Sequence, residues 1–196
     1  MDASPTAPLL RRGLYLEYIT LGWNVVGVAI VGLAALKAHS VALAGFGLDS
    51  LIEIFASVVV VWELTGTGKG RERTALRLIG TAFFALALYI LLQAGYTLAT
   101  RAHPATSVGG IVWLAITGVV MLLLAWGKDV TGTQLDNAVL RTEGHVTRVD
   151  AYLAGAVLIG LVLNAAFGWW WADPLTGLVI VYYGLKEGWH AWHSDG

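Results

Sequence analysis

The chain has no cysteine and few charged residues, and both shortages narrow the kind of protein it encodes. Without cysteine, disulfide bonds and thiolate metal sites are excluded. Only 13% of its 196 residues are charged, against about 25% in an ordinary globular domain. The net charge is −1, and no basic patch indicates a nucleic-acid partner. Any metal site must therefore use oxygen or nitrogen ligands.

Long apolar stretches fill most of the remaining sequence. Apolar residues make up 57% of the chain and its mean hydropathy is +0.71. The charges are clustered, which leaves several windows of about 20 residues, the length a helix needs to cross hydrocarbon. The sequence predicts an all-α, polytopic membrane protein, with a disordered tail over 1–12 and one transmembrane domain over 13–193. Its six helices are expected near 13–36, 40–64, 73–99, 107–127, 139–168 and 173–193.

The distribution of lysine and arginine predicts the orientation, since cytoplasmic loops carry an excess of both. With a cytoplasmic N-terminus, only Lys37 and Arg101 lie outside, and Arg148 lies near or within helix 5. Both termini are therefore expected in the cytoplasm, and the chain is expected in the cell membrane. The positive charges assigned to the inner side are Arg11, Arg12, Lys69, Arg71, Arg73, Arg77, Lys128, Arg141 and Lys186.

Helix 2 carries two carboxylates, Asp49 and Glu53, in the segment GFGLDSLIEIF. Four residues apart, they share one helical face, at depths of about 14 Å and about 20 Å from the outer end. A charge inside a bilayer costs several kcal/mol, so such residues indicate function. Two like charges one turn apart repel unless a divalent cation or protons neutralise them. The alternative is a pair of protonated acids hydrogen-bonded to neighbouring helices.

Helix 5 carries a second acidic face in LRTEGHVTRVDAYLAG. Glu143 and Asp150 are seven residues apart and share a face, with Thr147 between them. His145 lies about 160° from Glu143 and about 140° from Asp150 around the helix, so it is either an interfacial residue or a ligand. Hydropathy alone would begin this helix near Val149, but the helical spacing of the acids extends it towards the N-terminus.

Other polar residues leave two interpretations open. Glu17 and Asn24 share a face of helix 1 and either line the same cavity or form hydrogen bonds between helices. Asn164 is expected on roughly the face of Asp150, along an outer path. His190 and His193, three residues apart near the C-terminus, either bind a metal adventitiously or belong to a solvated tail.

Three segments, SVALAGFGLDSLIE, EGHVTRVDAYLAGAVLIG and WWADPLTGLVIVYYGLKEG, resemble helices 2, 5 and 6 of the cation diffusion facilitator family. The resemblance covers roughly 14–190. In that family, helix 2 carries an acid or histidine followed four residues later by an aspartate, and helix 5 carries a similar pair. The four side chains form a tetrahedral site for zinc or a related ion, and the bound ion is exchanged for protons. Asp49 and Glu53 match the helix-2 pair, and Asp150 matches the last helix-5 aspartate.

The chain departs from the family pattern at two places. Val146 stands where the family has histidine or aspartate, which leaves the fourth ligand open among Thr147, Glu143, His145 and water. Only a few residues follow helix 6, so the chain is expected to resemble a short branch that lacks the family's cytoplasmic domain.

The predicted function is a secondary transporter that exports a divalent transition-metal cation, its substrate, in exchange for protons. The resemblance implies zinc, while a carboxylate-rich site suits manganese or iron as well. The alternative is a membrane accessory protein that buffers or senses the cation without moving it. An enzyme is not indicated, because Ser50 has no well-placed histidine base. The lipid bilayer surrounds the chain, and Gly177, Gly184 and Gly188 on helix 6 would permit either a homodimer or packing within one subunit.

Overall fold

A computed structural model describes residues 6–65 and 71–193, and within these residues every regular element is an α-helix. Five of the six helices, α1 to α5, are long and apolar enough to cross a membrane. The all-α, polytopic membrane architecture predicted from the sequence is confirmed. The helices are α1 (Thr6–Ala38), α2 (Val41–Leu64), α3 (Arg71–Thr100), α4 (Val108–Leu135), α5 (Ala138–Phe167) and α6 (Ala172–His193).

Two helices extend beyond the predicted bounds. Helix α1 begins at Thr6, so residues 6–12 are helical where a disordered tail was predicted; residues 1–5 lie outside the described part. Helix α4 continues past its predicted end at residue 127 to Leu135. It ends where Asp136 adopts a left-handed conformation (φ 50°) and donates its N–H to the carbonyls of Gly132 and Thr133. A charged, glycine-containing stretch looked like a loop because its buried partners were not visible in the sequence.

Helix α2 lies at the centre of the bundle and packs against α1, α3, α5 and α6. The closest helix pairs are α4 with α5, α3 with α6, and α1 with α2. Large apolar side chains such as Leu36 and Leu92 remain exposed on the outside of the bundle, where a bilayer would solvate them. The packing of α2 against α5 brings the two acidic faces together.

The glycines of α6 lie against α3. A Cβ atom on Gly80 of α3 would lie 2.8 Å from the carbonyl oxygen of Gly188, and one on Gly184 would lie 3.4 Å from that of Phe83. Gly177 faces Ile90 of α3. The small residues of α6 thus serve close packing within one chain, the second of the two roles considered for them.

Asp173 connects the start of α6 to the start of α2. Its carboxylate accepts hydrogen bonds from the N–H groups of Val41 (2.9 Å) and Ala42 (3.2 Å) and from the Ser40 hydroxyl. A carboxylate at a helix N-terminus satisfies N–H groups that have no partner within the helix. This contact holds the N-terminal end of α2 in place.

Candidate metal centre

Three buried carboxylates meet between α2 and α5. Asp49, Glu53 and Asp150 are each exposed by 3% or less, and the Asp150 carboxylate is close enough to interact directly with both Asp49 and Glu53. We call this group the three-carboxylate cluster. Both Asp150 oxygens and Oε1 of Glu53 accept no hydrogen bond from any described residue. The cluster therefore holds free oxygen ligands in a region that water does not reach.

The ligand atoms are not gathered around a single point. Within residues 6–65 and 71–193, no three His, Asp or Glu side chains have their donor atoms placed to hold one metal ion as they stand. Coordination by this cluster would therefore require side-chain rotation.

Asn24 of α1 supports one side of the cluster. Its Nδ2 donates to Oε2 of Glu53 at 3.1 Å and to the carbonyl oxygen of Thr20 at 3.1 Å. The Thr147 side chain also lies close to Glu53. Asn24 thus joins α1 to α2 by a hydrogen bond and also borders the cluster. Both roles considered for it, cavity lining and hydrogen bonding between helices, therefore apply.

A second buried group lies beside the first and contains its own cation. Lys128 is fully buried, and its Nζ forms ion pairs with Glu143 and, at 3.3 Å, with Oε2 of Glu17. The same Nζ lies 3.1 Å from Oγ1 of Thr147, while Ser57 donates to Oε1 of Glu143 at 3.2 Å. We call Glu17, Lys128 and Glu143 the Lys128 cluster.

Lys128, assigned to the inner side from the charge distribution, is not a solvated surface charge. Its side chain has 0% exposure and lies among α1, α4 and α5. A lone lysine near the end of an apolar run is easily taken for a surface charge, because its acidic partners lie on other helices. One signal was available: Glu17 sits alone in an apolar helix, and an intramembrane acid usually pairs with a cation.

The six predicted ligands fall into four environments, of which His145 occupies one by itself. Asp49, Glu53 and Asp150 come together, Glu143 pairs with Lys128, and Thr147 lies between the two clusters. Val146 is 4% exposed and belongs to the apolar core, so the position of the family's usual ligand contributes only packing here.

His145 lies apart from both clusters, on the side of α5 that faces α6. Its Nε2 is 3.1 Å from Oε2 of Glu187, and its ring centroid is 5.9 Å from that of His190. The neighbouring Arg148 pairs with Asp129 of α4. His145 is thus directed away from the three-carboxylate cluster, as its angular position on the helix predicted.

Asn164 joins α5 to the segment between α3 and α4. Its Nδ2 donates to the carbonyl oxygen of Pro104 at 2.9 Å. This hydrogen bond gives Asn164 a structural role, and its place along an outer path stays a prediction.

Comparison with known proteins places the chain in a family. Residues 18–194 match the model of the cation efflux transmembrane domain. The chain is 23% identical to Transmembrane protein 163 of Xenopus laevis over 187 residues, covering 90% of this chain and 66% of that protein. It is 30% identical over 114 residues to a cadmium, cobalt and zinc/H(+)-K(+) antiporter of Bacillus subtilis (strain 168), covering 57% of this chain and 35% of the antiporter.

A third relative is the cation-efflux pump FieF of Shewanella oneidensis, 27% identical over 117 residues and covering 59% of this chain and 39% of the pump. The chain thus spans from about a third to about two thirds of the length of these relatives. The family match nevertheless includes nearly all of α1 to α6. The chain belongs to the cation efflux family, the cation diffusion facilitators, and is a multi-pass protein of the cell membrane.

Proposed function

We propose that this protein exports a divalent transition-metal cation in exchange for protons, with the three-carboxylate cluster as its transport site. The observation that carries the proposal is the contact of Asp150 on α5 with Asp49 and Glu53 on α2. Three carboxylates in a region of low dielectric cannot all remain charged and unneutralised. A divalent cation and protons are alternative ways to neutralise them, and their competition for the same oxygens is the chemical basis of exchange.

The structure narrows the choice of a fourth ligand. Glu143 is engaged by Lys128 and Ser57, and His145 by Glu187, so neither is free to turn towards the cluster. Water, or the Thr147 hydroxyl next to Glu53, would complete the coordination. An all-oxygen site suits manganese or iron as well as zinc, and zinc is favoured here by the relative named for cadmium, cobalt and zinc.

Transport requires that the cluster open to each side of the membrane in turn. Its ligands come from two helices, so a change in the packing of α2 against α5 would alter both access and the spacing of the oxygens. Sites between helices near the middle of the bilayer are typical of such alternating access. Thr147 contacts both clusters, so that movement would change its distances to them.

The test is zinc flux in proteoliposomes driven by a proton gradient, with a zinc-sensitive dye inside the vesicles. Asp49→Asn and Asp150→Asn remove one negative charge each with little change in shape, and each is expected to abolish flux. Asp136→Asn is the matched control, since the Asp136 side chain is 95% exposed at the end of α4. Thermal unfolding in detergent would show that all three variants are folded. Normal flux in both cluster variants would refute the site.

The alternative function, a protein that binds the cation without moving it, is motivated by Val146, which removes one expected ligand. It predicts saturable zinc binding to the purified protein that Asp49→Asn and Asp150→Asn weaken, together with no flux in the wild-type vesicles. Proton-dependent flux in the wild type would exclude it.

A further inference from the structure

We propose that His145 of α5 and Glu187 and His190 of α6 form a second divalent-metal site, separate from the three-carboxylate cluster. We call it the α5–α6 site. His145 Nε2 lies 3.1 Å from Oε2 of Glu187, and the two imidazole rings are 5.9 Å apart between centroids. This group brings together two nitrogen ligands and one carboxylate from two adjacent helices.

The spacing on α6 suits metal binding. Glu187 and His190 are three residues apart, which places their side chains next to each other on one helical face. The Glu-x-x-His spacing is used by helical bundles to bind metal ions in their interior. With His145 added from α5, the set becomes two histidines and one carboxylate, which binds zinc with a position left open for water.

The Glu187 carboxylate is the second observation that points to a cation. Glu187 is 2% exposed, yet its Oε1 accepts no hydrogen bond from any residue in the described ranges. A buried carboxylate is unfavourable unless it is paired. A protonated His145 would neutralise it as a simple ion pair, whereas a metal ion would use the carboxylate and both rings together.

The site is accessible and its geometry is adjustable. The His145 side chain is 41% exposed and His190 is exposed, so neither ring is enclosed by the protein. The three donors do not converge as placed, so binding would require the two rings to turn towards the Glu187 carboxylate. The nearby Lys186 would oppose a cation only weakly, because it is exposed and directed over the Tyr183 ring, 5.8 Å from its centroid.

The position of the site suggests its use. His145 precedes Asp150 by five residues on the same helix, a rise of about 7.5 Å towards the predicted cytoplasmic end. A cation held there would be close to the three-carboxylate cluster on the side from which export begins. This use as a loading site rests on the proposed function, whereas the binding of a metal does not.

The test separates the two sites by their ligands, since the three-carboxylate cluster contains no histidine. The full chain carrying Asp49→Asn and Asp150→Asn is purified in detergent, loaded with Zn²⁺ and studied by equilibrium dialysis and X-ray absorption. We expect one bound zinc with imidazole scattering. Adding His190→Ala or His145→Ala should weaken zinc binding at least about tenfold. Mutating a residue that only supports a metal ligand already weakens binding by about this factor. His193→Ala is the matched control, because His193 is exposed on the same helix and contacts Trp189 instead.

Three results would overturn the α5–α6 site: no zinc bound in the Asn background, bound zinc without imidazole scattering, or unchanged affinity in both histidine variants. His190 lies at the surface, so its alanine variant is expected to fold even if the His145 variant does not. The outcome is independent of transport. A wild-type protein without zinc flux would refute the proposed function while leaving histidine-dependent binding intact.

Discussion

Two groups of buried carboxylates lie side by side in this helix bundle, and they differ in where their positive charge comes from. In the Lys128 cluster, the cation is covalently part of the chain and pairs with Glu17 and Glu143. In the three-carboxylate cluster, no Lys or Arg of the described ranges is within ion-pair distance of Asp49 or Asp150, and Lys128 acts on Glu53 only at longer range. The first group contains its own cation, whereas the described residues supply none at ion-pair distance to Asp49 or Asp150 in the second.

This difference suggests separate roles, a structural one for the Lys128 cluster and transport for the three-carboxylate cluster. A built-in ammonium cannot leave, so the Lys128 cluster can fix α1, α4 and α5 relative to one another without taking part in exchange. In the proposed function, the three-carboxylate cluster gains a cation or protons and loses them again, as an exchanger requires. Asn24 and Thr147 lie where the two groups meet, so the fixed cluster can position the variable one.

The largest expected effect comes from removing the built-in cation. Lys128→Met leaves Glu17 and Glu143 buried without their partner, which is expected to lower the free energy of unfolding by about 3–5 kcal/mol. Thermal unfolding in detergent would measure the loss. Adding Glu17→Gln and Glu143→Gln should restore most of the stability, because the uncompensated charges are gone. If Lys128→Met and the wild type were equally stable, Lys128 would not stabilise its buried acidic partners, and the difference drawn between the two clusters would be wrong.

A smaller, opposite effect is expected at the three-carboxylate cluster. In a His190→Ala background, which removes the proposed α5–α6 site, saturating Zn²⁺ at about 100 times its dissociation constant should stabilise the protein by about 2.7 kcal/mol. Adding Asp150→Asn should abolish this stabilisation without lowering the stability of the metal-free protein, since it removes a repelling charge. The comparison is made by unfolding with and without Zn²⁺, with Asp136→Asn as the control that keeps the full shift. A zinc-induced shift preserved in Asp150→Asn would mean that the stabilising metal binds elsewhere.

The smallest effect is expected at the contact between Asn24 and Glu53. Asn24→Ala removes a hydrogen bond that orients a proposed ligand, so zinc affinity should fall about tenfold, with a loss of about 1 kcal/mol in stability. Asn164→Ala is the matched control, because it removes a comparable hydrogen bond, to Pro104, far from the cluster. Calorimetric titration with Zn²⁺ would measure both variants. Equal affinities in the two would show that Asn24 supports only the fold.

The features predicted best from the sequence are those that depend on one helix at a time. The apolar windows located all six helices within a few residues at most ends, and helical periodicity placed Asp49 with Glu53 and separated His145 from Asp150. The same reasoning failed at Lys128 and at the end of α4. Low hydropathy and a glycine after residue 127 predicted a loop there. The stretch is helical because neighbouring helices bury and neutralise its charge.

The sequence alone determined which side chains share a helical face, since a rise of 1.5 Å and a turn of 3.6 residues depend only on the local backbone. Tertiary structure decided which faces meet. It paired Glu143 with Lys128 rather than with Asp150, and it brought His145 to Glu187. The rotation and packing of each helix depend on contacts summed over the whole bundle, so the partner of a buried charge cannot be read from the helix that carries it.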